Sequence, residues 1–110
     1  MKNKRNDGGR YERKVATHMK WNWFWHVRVC GKSGDYGADI MARDFLLRRV
    51  VVQCKNYDNP VGVKAVQEVI AAKAYYNAKR AIVATNSTFT KQAKIMASKC
   101  KVELWEKCCV

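Results

Sequence analysis

Proline occurs once, at Pro60, and acidic side chains number only 9 against 22 lysines and arginines. The shortage of acid leaves a formal charge of +13, which favours a polyanionic partner, DNA or RNA before a membrane surface. The basic residues are scattered, and no long basic helix with a broad apolar face stands out. No apolar run approaches the roughly 20 residues of a membrane span. No apolar stretch follows the polar start Met1-Lys2-Asn3-Lys4, so a signal peptide is not expected. The 5 cysteines, at 30, 54, 100, 108 and 109, are an odd set without repeated spacing. That argues against a disulfide framework and for a reducing, cytoplasmic setting, with Cys108-Cys109 as a reduced, inert tail. A Cys-x-x-Cys pair is lacking and histidines number 2, which leaves no zinc site. The glycine-rich stretch 31–37 has no Gly-x-x-x-x-Gly-Lys-Ser/Thr, which removes phosphate-loop nucleotide chemistry.

What is present reads as one domain over residues 1–110, with residues 1–8 a mobile basic leader and 106–110 a polar tail. Tyr11, Val15 and Met19 recur at helical spacing, predicting a helix from Gly9 to Met19, with Glu12 beside its apolar stripe. Residues 20–30 are aromatic and β-branched, predicting a turn and a strand. Trp21, Trp23 and Trp25 would share a side if the stretch were extended, as core or dimer surface before base stacking. Strands follow at 38–42 and 49–54, joined by a hairpin connection. Val63, Val66, Ile70 and Ala74 mark a helix over 63–76. A short buried strand over 80–85, a helix over 89–99 and an edge strand over 102–105 complete an α/β order of α-β-β-β-α-β plus a trailing α-β. The strand–helix–strand unit implies a parallel pair with a right-handed crossover.

The segment Val50-Val51-Val52-Gln53-Cys54-Lys55 carries the functional signal. A β-branched strand ends by presenting Gln53 and Lys55 on one face, since residues two apart in a strand share a side. Asp39, at the start of the neighbouring hairpin strand, offers a carboxylate about 5 Å across. A carboxylate and an amide oxygen suit a hard divalent cation such as Mg²⁺, with Mn²⁺ the alternative, and the Cys54 carbonyl offers a third oxygen. Such an ion stabilises charge on a phosphate and acidifies bound water, while Lys55 holds the phosphate or the attacking water. Glu12 either supplies another carboxylate, directly or through water, or pairs with Arg13 or Lys14.

Asp39 followed by Gln53-x-Lys55 resembles the PD-(D/E)XK nuclease superfamily, and within it the Mrr-like restriction endonuclease catalytic domain. Gly9, Tyr11 and Glu12 on the first helix, Gly37-Ala38-Asp39, and Ala84 to Thr90 strengthen the resemblance, which covers Gly9 to Trp105. It implies a restriction-endonuclease-like fold, with a mixed central sheet flanked by helices. It further implies a Mg²⁺-dependent DNA endonuclease, often a homodimer. By the resemblance, Asp39 is the metal ligand, Gln53 the second motif position, Lys55 the catalytic lysine and Glu12 an accessory acid. Gln67, on the helix face beside Val63 and Ile70, is a further accessory candidate or ordinary helix surface. Archaeal Holliday-junction resolvases are similar in size, charge and the placing of Ser33, Gly34 and Asp39, but carry Glu-x-Lys where this chain has Gln53-Cys54-Lys55. Junction cleavage is therefore the alternative activity, and a nuclease fold that binds DNA without turnover is the second alternative.

Overall fold

The computed structural model describes residues 9–30 and 37–109, so the predicted leader over 1–8 lies outside the described residues. The elements are α1 (Arg10–Lys20), β1 (Trp25–Val29), β2 (Ile40–Arg43), β3 (Arg49–Lys55), α2 (Val63–Tyr75), β4 (Arg80–Thr85), α3 (Lys91–Cys100) and β5 (Glu103–Trp105). The expected order holds, and the sheet runs β1-β2-β3-β4-β5. Its first three strands are antiparallel, and β3, β4 and β5 are parallel.

The run of valines puts β3 at the centre. Val50, Val51 and Val52 are fully buried, because alternate side chains enter cores on opposite faces of the sheet. Val50, Val52 and Cys54 pack towards α1, whose Tyr11, Val15, Ala16 and Met19 form the buried stripe. Val51 packs towards α2 and α3, against Val66, Val69, Ala72 and Ala93. Gly9 caps α1 with φ 86 and no side-chain bond, whereas the Thr90 hydroxyl caps α3 by accepting from Ala93 N–H at 3.1 Å.

Three expectations are corrected. The tryptophans are neither core nor aligned on one strand. The chain turns over residues 21–23, and Trp21, Trp23 and Trp25 are 83, 75 and 52% exposed. β1 also carries an irregularity between Trp25 and Arg28, where His26 takes φ 52; alternation alone cannot foresee an extra residue. The stretch 106–109 is not a loose tail. Cys108 N–H donates to the Thr85 carbonyl, its carbonyl accepts from the Tyr11 hydroxyl at 2.9 Å, and its side chain is buried against α1.

Between β2 and β3 the hairpin closes on Asp44. Its Oδ1 accepts from the N–H groups of Leu46 and Arg48, and its Oδ2 meets the guanidinium groups of Arg48 and Arg80. Those bonds fix the register that sets Arg43 opposite Arg49 and carries Asp39 to the side of Gln53.

Candidate active site

Asp39 extends the β2–β3 ladder by one residue. Its N–H donates to the Val52 carbonyl at 2.8 Å, and its own carbonyl accepts from Cys30 N–H at 2.8 Å. The side chain turns to the next strand, where Oδ2 accepts from Cys54 N–H at 2.8 Å. The approach depends on Gly37. It has φ 82, and a Cβ there would stand 2.5 Å from the Glu68 carbonyl oxygen of α2.

Gln53 and Lys55 leave β3 on the face covered by α2, as the strand period requires. Both reach Glu68: Gln53 Nε2 donates to its Oε1 at 2.8 Å, and Lys55 Nζ stands 3.1 Å from the same oxygen. Asp39, Gln53, Lys55 and Glu68 line one cleft of about 460 Å³ with Gly37 and Tyr75. With its nitrogen committed to Glu68, the Gln53 amide turns Oε1 inwards, where it is buried without a hydrogen-bond partner. Leaving such an oxygen unpaired costs about 1–3 kcal/mol, so Gln53 keeps an unmet acceptor close to the Asp39 and Glu68 carboxylates.

Burial is the largest influence on Asp39 and pushes its carboxyl above the ordinary value; the Cys54 N–H and the Lys55 charge pull the other way. Glu12 and Glu68 add to the upward push. For Lys55, burial works against the ammonium, but the Glu68 carboxylate and Tyr57 outweigh it and the net direction is up. Lys55 therefore stays charged, with its Nζ also 5.7 Å from the Tyr57 ring centre. The Cys54 thiol points into the opposite core. Burial, then the charges of Asp39 and Glu12, push it well up, so it is a neutral thiol there.

The structure thus brings Asp39, Gln53 and Lys55 together and leaves the other candidates at different distances. Glu12, half-buried on α1, influences Asp39 and Cys54 through its charge but does not line the cleft. Gln67 is exposed on α2, one position from the residue that does enter. Ser33 lies outside the described residues. Glu68 is the residue that sequence reasoning missed. It sits on the helical face of the small residues Ala65, Ala71 and Ala72, in a chain with few acids, and that pairing was the available signal.

A sequence model described as restriction endonuclease matches residues 4–108. The type IV methyl-directed restriction enzyme EcoKMrr of Escherichia coli K12 is 41% identical over 69 residues, covering 61% of this chain. The chain matches only 23% of that enzyme's length. Among solved structures, a repair endonuclease from Pyrococcus abyssi superposes with TM-score 0.58 at 19% identity, covering 96% of this chain and 49% of that one. The structure of an EndoMS–dsDNA complex gives TM-score 0.59 at 19% identity, covering 96% and 46%. At such identities the likeness establishes the fold.

Proposed function

The chain belongs to the restriction endonuclease family, whose sequence model spans nearly all of it, and from that we propose a metal-dependent DNA endonuclease of the Mrr type. The observation that carries the reading is the partnerless Gln53 oxygen, in one cleft with the Asp39 and Glu68 carboxylates. Oxygen donors of that kind fit a hard divalent cation, Mg²⁺ before Mn²⁺. Among the described residues no three His, Cys, Asp or Glu side chains cluster to hold a metal, and the neutral Gln53 oxygen is the further donor the cleft offers. When bound, the cation would supply charge for a phosphate and a more acidic water.

The chain's own residues divide the remaining work. Asp39, held by the Cys54 N–H, and Gln53 would hold the cation, with the Cys54 carbonyl as a further oxygen. Lys55 steadies the phosphate and the negative charge that grows on it, and Glu68 keeps the lysine charged and aimed. Glu12 acts at longer range by its charge on Asp39. One small site cuts one strand, so double-strand cleavage takes a homodimer.

The purified chain is expected to nick and linearise plasmid with Mg²⁺ and to stop when the ion is chelated. Asp39→Asn and Lys55→Ala each lose more than about 100-fold of that rate while keeping DNA affinity. Cutting that survives Asp39→Asn would remove the assignment. Gln53 in place of a second acid, closed onto Glu68, favours a second reading in which the chain binds DNA without turnover. Salt-sensitive binding with no cutting under Mg²⁺ or Mn²⁺ would select it.

A further inference from the structure

At the opposite end of β3 from the cleft, on the same face of the sheet, lies a second depression of about 490 Å³. His26, Arg28, Met41, Arg43, Arg49 and Tyr76 line it. The strand register builds it: Arg43 stands opposite Arg49, and Arg28 opposite Met41. Met41 shares the α2-side core with Val51, so residues in step with them, Arg43 and Arg49, project to that side. α2 packs on β3 and β4 and leaves the β1–β2 end of this face open.

Among the described residues no carboxylate lines the depression, although three guanidinium groups do. Arg49 Nη1 donates to the Tyr76 carbonyl at 2.7 Å and Arg43 Nη1 to the Leu47 carbonyl at 3.3 Å, so neutral acceptors orient them. Acids close to this end are committed elsewhere, Asp44 to Arg48 and Arg80, and Glu103 to Arg80. Arginines gathered and aimed in this way suit phosphate oxygens, which the planar fork meets two at a time.

From Arg49 to Gln53 is four residues of strand, about 13 Å at roughly 3.3 Å each. DNA phosphates rise about 3.4 Å per nucleotide along the helix axis and lie farther apart than that along the backbone, so the two clefts stand only a few nucleotides apart. We propose that the Arg28–Arg43–Arg49 cleft grips backbone phosphates of the DNA duplex a few nucleotides from the phosphate that is cut. The site rests on the nuclease reading for its role, but its binding is measurable without cleavage.

The test uses the full chain in chelator, with fluorescence anisotropy on a labelled duplex of about 20 base pairs titrated with salt. Arg28→Gln is expected to lower the salt slope by about one, and Arg28→Gln with Arg43→Gln by about two, with affinity falling several-fold at low salt. Lys99→Gln, on exposed α3 beside the far edge of the sheet, is the equal-charge control and leaves the slope near that of the unmodified chain. Arg28 is exposed on an edge strand, so its single variant keeps the fold, checked by circular dichroism. Slopes that do not move, or an equal loss with Lys99→Gln, overturn the cleft. Unmoved slopes in a protein that cuts with Mg²⁺ remove only this cleft. Lowered slopes in a protein that never cuts keep it and remove the nuclease.

Discussion

Asp39 and Asp44 are both sheltered from water, and their surroundings push them in opposite directions. Burial opposes charge on Asp44, but the N–H and guanidinium of Arg48, the Leu46 N–H and Arg80 overcome it and hold the carboxyl below its usual value. A lowered value means stability that is present above the ordinary carboxylate range and is lost as pH falls through the lowered value. Asp44→Ala is expected to cost about 2 kcal/mol at neutral pH in urea unfolding, with the gap closing in acid. Asp39 has the other sign. Its raised value makes the charged form a burden at neutral pH, and falling pH relieves it. Asp39→Asn, which keeps an oxygen for Cys54 N–H, should therefore melt at or above the temperature of the unmodified chain while losing cutting. A clear drop in melting temperature would count against that account.

At the scale of elements, most of what the chain builds was legible in its sequence. Period-two alternation and valine runs gave β2, β3 and β4, and the α1 stripe of Tyr11, Val15 and Met19 is buried as its spacing implies. Legibility ended where tertiary geometry decides. Gln67 and Glu68 are neighbours on α2, and of the two it is Glu68, on the side of Ala65 and Ala72, that enters the cleft while Gln67 is exposed. The His26 irregularity in β1 has no local composition to announce it. α3 starts later than its sequence suggests: the hydroxyl and amide side chains of Asn86-Ser87-Thr88 suggest caps for a helix from Phe89, and the helix instead takes Thr90 as its cap and begins at Lys91. Thr90→Ala is expected to cost about 1 kcal/mol, measured by chemical unfolding, and no loss would mean that water replaces the cap.

Over the whole molecule, several exposed aromatic and leucine side chains fall at one end of the sheet. Trp25 pairs with Arg43, so Trp21 and Trp23 lie at the same end of the sheet as the exposed hairpin residues Phe45, Leu46 and Leu47. Large apolar side chains exposed together suit the proposed homodimer. Phe45→Ser with Leu46→Ser should leave stability within about 0.5 kcal/mol, as exposed positions do, and shift sedimentation towards monomer. Sedimentation unchanged by the pair would take the hairpin out of any dimer contact. The bond from the Tyr11 hydroxyl to the Cys108 carbonyl ties together residues 97 positions apart. A chain emerging from the ribosome has made α1 long before the segment that seals it, and Tyr11 keeps a wet hydroxyl until synthesis has passed residue 108. A cut in the chain between β5 and Cys108 would reopen the same seam, leaving α1 unclasped on the face of β3 opposite the cleft.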